Sequence, residues 1–109
     1  DTTVGWFHSK PGENSTRSVA EIEKERKTVL EYVGTDGCEI HWDMISVAMR
    51  SKANTAVVPL QDVLGLDSSA RMNVPGTTGG NWRWRFEWDQ LAPELKARMR
   101  KLAEETGRV

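Results

Sequence analysis

Three tryptophans and two arginines alternate in the second half of the chain, where their spacing could form a ligand-binding surface. Trp82, Trp84 and Trp88 enclose Arg83 and Arg85. Aromatic faces interleaved with cations are typical of platforms on which the bases of single-stranded nucleic acids stack. The net charge of −1, from 15 basic and 16 acidic residues, argues against a nucleic acid or an anionic membrane as partner. Because alternate tryptophans are more often core residues, we expect packing, with the arginines paired to carboxylates of the same protein.

The other side chains that could do chemistry lack the spacing of a catalytic or metal site. Asp62 and Asp67 are close enough in sequence for a carboxylate pair, but Asp67 precedes two serines and favours the cap of a short helical turn. The histidines, His8 and His41, and the single cysteine, Cys38, show no metal-ligand spacing. Because one cysteine cannot form an internal disulfide, a reducing compartment such as the cytoplasm fits best.

A first amphipathic helix is predicted from Thr16 to Val33. Apolar residues recur there at spacings of three and four, and charged residues occupy the opposite face. Ser15 or Thr16 is expected to cap the start of this helix, and Gly34 to end it. The tripeptide that begins at Asn14 also matches the N-glycosylation pattern, which would matter only in a secreted protein.

A second helix and a short strand follow. The helix is predicted from Ile40 to Ala53, after a loop at residues 32–39 that contains two glycines and an aspartate. Ala56 to Leu60 is an apolar run rich in β-branched residues, which is typical of a strand buried on both faces in a parallel sheet. Pro59 limits the regularity of this predicted strand.

The rest of the chain contains a long loop, an extended segment and a last helix. The loop covers about twenty residues rich in glycine, serine and aspartate, and compact domains seldom keep such loops without a functional reason. Asn81 to Trp88 alternates aromatic with charged residues, which predicts an extended segment with one apolar face. The last helix is predicted from Asp89 or Ala92 to Thr106, with Pro93 near its start and Gly107 after its end.

The order of these elements predicts an α/β fold in which residues 1–109 belong to one domain. Helix, helix, strand, long loop and helix is the arrangement of one stretch of a (β/α)8 barrel, where ligand-binding loops follow the strands. A lone strand cannot pair its own backbone edges or bury two faces. The remaining strands of the sheet are therefore expected elsewhere in the protein.

Three stretches of sequence carry a more specific resemblance. They are VVPLQDVLGL at Val57 to Leu66, ARMNVPGTTGGNWRWR at Ala70 to Arg85, and DTTVGWF at Asp1 to Phe7. Together they resemble the C-terminal part of the 4-alpha-glucanotransferases of the amylomaltase or disproportionating-enzyme type, in the alpha-amylase superfamily. The resemblance implies the C-terminal fragment of a (β/α)8 TIM barrel, whose eighth strand is Ala56 to Leu60 and whose His-Asp-Asn motif directly precedes this chain.

The resemblance also implies a function and a set of site residues. The family moves alpha-1,4-glucan segments to the 4-hydroxyl of glucose or a maltooligosaccharide by a retaining double displacement, without a cofactor or metal. Its catalytic carboxylates would all precede Asp1, so this chain would hold no catalytic residue and would be inactive alone. The substrate-binding residues carried over are Asn73 and Pro75 of one loop, with Asp1 and Gln61.

The implied partners are a glucan or maltooligosaccharide and either the remainder of the barrel or a second copy of the chain. No nucleic acid or membrane is implied, and the location is the cytoplasm, or a plastid if the source is a plant.

Two alternatives stay open at this stage. Asn73 before a proline-glycine pair is also ordinary turn chemistry. Trp82 and Trp84 could stack on glucose rings in a non-catalytic carbohydrate-binding or interaction module that uses the tryptophan cluster. Burial distinguishes the two functions, because a binding platform must expose its rings, whereas the barrel fold would bury most of Trp82 and Trp84.

Overall fold

The computed structural model describes residues 1–12 and 17–109. These ranges contain five α-helices and two short 3-10 turns, and they contain no β-strand. The helices are α1 (Thr3–Phe7), α2 (Val19–Val33), α3 (Ile40–Arg50), α4 (Leu60–Val63) and α5 (Pro93–Glu105), and the 3-10 turns are Ser68–Ala70 and Trp88–Gln90. None of the helices in the described ranges is both long enough and apolar enough to cross a membrane.

The helix α2 is closed at both ends by side-chain and backbone hydrogen bonds. Ser18 forms a capping box with Glu21: its hydroxyl accepts from the Glu21 N–H at 3.2 Å, and its own N–H donates to the Glu21 carboxylate at 2.7 Å. Gly34 ends the helix in the left-handed conformation (φ 71°), as predicted.

The start of α2 differs from the sequence-based expectation. The expected caps, Ser15 and Thr16, and the glycosylation tripeptide that begins at Asn14 lie outside the described residues. The helix begins at Val19, so the prediction of a start at Thr16 is wrong by one turn. The reason is that Ser18 has a glutamate three residues later, which completes the reciprocal capping pair.

The core lies between α3, α4 and α5. It consists of buried side chains from all three helices: Trp42, Ile45, Met49, Val63 and Leu102. Full burial of one large apolar side chain stabilises a fold by about 1.5–3 kcal/mol, so this cluster holds the three helices together. The helix α3 begins at Ile40, as predicted, but it ends at Arg50 rather than Ala53, because Ser51 adopts an extended conformation.

The predicted strand is Ala56 to Leu60, and its residues 56–59 have no regular secondary structure. Exposure nevertheless alternates along them: Ala56 and Val58 are half-buried against the core, whereas Val57 is 83% exposed and Pro59 is exposed. Leu60, expected as the last strand residue, begins α4. Because a strand is defined by the hydrogen-bonded ladder to its neighbour, an extended segment without a neighbour shows only this alternation.

The helix α5 confirms the predicted last helix. Pro93 occupies its first turn, Thr106 follows its last residue, and Gly107 is left-handed with a φ of 70°. Arg108 then returns to the end of α3, where its guanidinium donates to the carbonyls of Met49 at 2.7 Å and Ala53 at 2.9 Å. The last residues of the chain are thereby tied to the segment that follows α3.

The helix α1 was not predicted, since five residues are too few for a periodic pattern. Thr2 is its N-cap, and its hydroxyl accepts from the Gly5 N–H at 3.0 Å. Arg26 of α2 donates to the carbonyls of Phe7 and Ser9, which fixes α1 against α2. This arrangement places Asp1 beside the loop that follows α4.

Candidate functional site

Asp1 is held by the long loop after α4. Its carboxylate accepts from the Ser68 hydroxyl at 3.0 Å and lies 3.5 Å from a terminal nitrogen of Arg71. The Thr2 N–H also donates to this carboxylate at 2.7 Å. Asp1, a predicted substrate residue, therefore joins the first residues of the chain to the loop that carries Asn73.

Gln61 and Asp62 stabilise the same contact between the first residues of the chain and the loop after α4. Gln61 is only 8% exposed, and its side-chain amide donates to the carbonyl of Ala70 at 3.2 Å. The carboxylate of Asp62 accepts from the Thr3 N–H at 2.8 Å, in the first turn of α1. Gln61, a predicted substrate residue, and its neighbour Asp62 thus each bond to a backbone group within this chain.

Asp67 does not form a carboxylate pair with Asp62. Its carboxylate accepts from the backbone N–H and the hydroxyl of Ser69, at 3.0 and 2.6 Å, so it caps the 3-10 turn Ser68–Ala70. The hydroxyl bond, followed by the backbone bond, lowers the pKa of Asp67. The expected helical cap is confirmed, and this carboxylate is engaged locally rather than with Asp62.

Arg71 is a largely buried cation beside Asp1, and no sequence pattern predicted it. Its side chain is 13% exposed. Within the described residues, two of its nitrogens, Nε and one terminal nitrogen, are buried and have no hydrogen-bond partner. An unpaired buried donor costs about 1–3 kcal/mol, and more when the group is charged. The sequence gives no signal for this, because burial of an arginine depends on what packs around it.

The predicted residues Asn73 and Pro75 lie on a closed, exposed loop. Both are exposed, and Pro75 and Gly76 occupy the central positions of a turn whose ends are Val74 and Thr77. Gly76 has a φ of 79°, and proline followed by a left-handed glycine is the pattern of a type II turn. The side chain of Asn81 crosses the base of this loop and bonds to it.

The tryptophan cluster only partly follows the predicted alternation. Trp84 and Phe86 are half-buried, while Arg83, Arg85 and Glu87 between and beside them are exposed, as expected for one apolar face. Trp82 is 72% exposed and Trp88 is 79% exposed.

The expected burial of Trp82 is therefore not found within this chain. Trp82 adopts a left-handed conformation (φ 61°). An alternation of buried and exposed side chains requires extended backbone, so Trp82 does not follow it. In the described part of the chain, no carboxylate forms an ion pair with Arg83 or Arg85.

The histidines and the cysteine lie apart from this region of the structure. His41 is half-buried against Gly65, and burial lowers the pKa of its imidazole. Cys38 is exposed, and a hydrogen bond to Asp36 raises the pKa of its thiol. Among the residues described here, no group of three or more potential ligands could hold a metal ion.

Comparison with known proteins gives consistent matches. The family model described as 4-alpha-glucanotransferase matches residues 1–91, which include every predicted site residue. A 4-alpha-glucanotransferase of Synechocystis is 42% identical over 109 residues, covering 99% of this chain and 19% of that protein. The corresponding enzyme of Thermus thermophilus is 37% identical over 115 residues, covering 100% of this chain and 21% of that protein.

A chloroplastic or amyloplastic 4-alpha-glucanotransferase of Oryza sativa is also similar. It is 42% identical over 107 residues, covering 94% of this chain and 16% of that protein. The chain thus spans about a fifth of the length of the curated relatives it matches.

Proposed function

This chain belongs to the 4-alpha-glucanotransferase family, and from that premise we propose that it forms the C-terminal part of an enzyme that transfers alpha-1,4-glucan segments. The acceptor is the 4-hydroxyl of glucose or of a maltooligosaccharide, and the reaction needs no cofactor. The observation that carries the proposal is the family match over residues 1–91, which spans both Asp1 and the Asn73 loop.

The proposed fold of the complete protein is a (β/α)8 barrel. Residues 56–59, the part of the predicted strand Ala56 to Leu60 that precedes α4, provide its eighth strand, and two features support this assignment. Exposure alternates along the segment, and Val57 presents an apolar side chain that nothing in the described chain covers. Neighbouring strands of a parallel sheet would pair both backbone edges and bury that face. The loop that follows then lies at the carboxyl end of the strand, where barrel enzymes bind their substrates.

In this proposal, Asn73 makes the direct contact with glucan. A short amide both donates and accepts, and that suits a sugar hydroxyl, which also does both. Pro75 shapes the turn beside it. Asp1 and Gln61 hold the base of the loop through Ser68 and Ala70, so their contribution to substrate binding is to place Asn73 correctly.

The proposed chemistry takes place on carboxylates in the other four-fifths of the enzyme. One carboxylate attacks the anomeric carbon while a carboxylic acid protonates the departing glucan oxygen, and a covalent glycosyl-enzyme forms. The hydroxyl of an acceptor glucan then attacks the same carbon, returns its proton to the acid residue and releases the enzyme carboxylate. This chain alone would bind glucan weakly and catalyse nothing.

Disproportionation of maltotriose by the complete protein tests the proposal. Glucose should be released, and Asn73→Ala should lower kcat/KM roughly ten-fold, since one hydrogen bond to substrate is lost. Asn54→Ala is the matched control, because Asn54 is exposed and follows α3 rather than α4. Absence of glucose release would refute the activity, and an unchanged kcat/KM in Asn73→Ala would refute the role of that residue.

A non-catalytic carbohydrate-binding module is the second candidate, because Trp82 and Trp88 are largely exposed and sugar rings stack well on indole faces. Affinity electrophoresis in amylose gels distinguishes the two. A binding module would lose retardation in Trp82→Ala and Trp88→Ala and would show no turnover of maltotriose. A transferase would keep its turnover in at least one of these variants.

The location and the partners follow the same proposal. We place the enzyme in the cytoplasm, or in a plastid if the source is a plant, since the Oryza sativa relative is named as a chloroplastic or amyloplastic enzyme. Its partners are the glucan substrate and the rest of the barrel, with a second copy of the chain as the alternative.

A further inference from the structure

The loop that carries Asn73 is closed at its base by a backbone hydrogen bond. The N–H of Trp82 donates to the carbonyl of Met72. Residues 72–82 therefore form a loop whose two ends lie side by side. Trp82 adopts its left-handed conformation at the second of these ends. A loop closed at one point has a fixed root, but its tip needs further contacts to hold one conformation.

Those further contacts come from the side chain of Asn81. Its amide oxygen accepts from the Val74 N–H at 2.9 Å. Its amide nitrogen donates to the Thr77 carbonyl at 3.3 Å and to the Thr77 hydroxyl at 3.2 Å. One side chain therefore bonds to both ends of the Pro75–Gly76 turn.

The bond to Val74 acts on Asn73 directly. The N–H of Val74 and the carbonyl of Asn73 belong to one planar peptide group, so fixing the first fixes the second. The Thr77 hydroxyl in turn donates to the Val74 carbonyl at 2.6 Å, which holds the next peptide group. The backbone on the C-terminal side of Asn73 is thus held by polar contacts, whereas the Asn73 side chain is left exposed.

We propose that Asn81 is a positioning residue that fixes Asn73 for contact with the glucan. The inference rests on the proposed function and deepens it. A side chain held in its binding conformation before substrate arrives loses little freedom on binding, so the substrate binds more tightly. Asn81 acts here without touching the substrate, through the peptide group that follows Asn73.

The test uses the complete protein and the disproportionation of maltotriose. Asn81→Ala should raise KM about ten-fold, and kcat should change less, because substrate binding has lost its preorganised partner. Asn81→Asp keeps the oxygen that accepts from Val74 and should recover most of this loss. Asn54→Ala is the matched control and should behave as the wild type in KM, kcat and Tm.

A double-mutant cycle decides whether Asn81 works through Asn73. If it does, Asn81→Ala should have little further effect on KM once Asn73 is already alanine. Equal effects of Asn81→Ala in both backgrounds would overturn the inference, as would a fall in Tm with KM unchanged. If Asn73→Ala itself leaves KM and kcat unchanged, the proposed substrate contact fails first, which separates that failure from the failure of the positioning role.

Discussion

At the scale of single residues, Gly5 permits a close approach between α1 and the long loop. A Cβ built on Gly5 would lie 2.2 Å from the Ser68 hydroxyl and 2.7 Å from the Ser68 backbone nitrogen. The backbone atom cannot move away without displacing the turn, so Gly5→Ala should cost about 1–3 kcal/mol of the free energy of unfolding.

Chemical denaturation of the complete protein measures this cost. Gly79→Ala is the matched control, since a Cβ there meets nothing within 4 Å and the residue has no left-handed φ. Equal midpoints for the two variants would show that α1 is not packed against Ser68 as described.

His41 should make stability fall in mild acid. Burial lowers the pKa of His41 below its reference value of 6.5, so the folded protein favours the neutral imidazole. Its contribution is therefore fully present above pH 6.5 and is lost as the pH falls through the lower pKa of the folded state.

His41→Gln removes the titrating group but keeps a polar side chain. The Tm of the wild type should decrease relative to that of His41→Gln as the pH is lowered from 7 to 5, around the reference pKa of histidine. Parallel Tm curves for the two proteins across this range would contradict the prediction.

At the scale of elements, Arg108 joins α5 to the residues after α3. Its guanidinium donates to the carbonyls of Met49, Ser51 and Ala53, and these groups are left without helical partners where α3 ends. Arg108→Ala should therefore destabilise the protein by about 1–3 kcal/mol.

Hydrogen exchange locates this effect. Faster exchange is expected at the C-terminal turn of α5, while α2, which Arg108 does not contact, serves as the internal control. Arg108→Lys should recover only part of the loss, since an ammonium cannot fork between several carbonyls as a guanidinium does. Unchanged exchange near residues 100–107 in Arg108→Ala would show that the hydrogen bonds of Arg108 do not stabilise the end of α5.

The long helices could be predicted from the sequence, whereas the conformations of the loops could not, for physical reasons. The helices α2, α3 and α5 carry apolar periodicity over ten or more residues, and Gly34 and Pro93 mark boundaries by backbone conformation alone. The exposure of Trp82 depends on tertiary contacts and on one left-handed residue, and no local pattern encodes these. The loop that carries Asn73 could be predicted from its glycines and prolines, whereas the contacts of Arg71 and Asn81 depend on tertiary packing and could not.

At the scale of the whole molecule, the barrel proposal predicts which surfaces of this chain the rest of the protein covers. The backbone amides of Ala56, Val57 and Val58 should exchange fast in the isolated chain and slowly in the complete protein, where neighbouring strands would pair them. Amides in the Asn73 loop should stay exchangeable in both, because a substrate loop remains at the surface. Fast exchange of these three amides in the complete protein would refute the eighth strand.

The contacts around Asp1 also bear on the order in which the protein folds. Asp1 meets Ser68 across 67 positions of sequence, and Thr3 meets Asp62 across 59, whereas each helix closes over three or four. Contacts that close large loops form after local ones. Ser68→Ala should therefore accelerate unfolding in stopped-flow experiments and leave the refolding rate nearly unchanged; slower refolding would contradict this order. The junction beneath the Asn73 loop would then be the last part of this chain to assemble and the first to open.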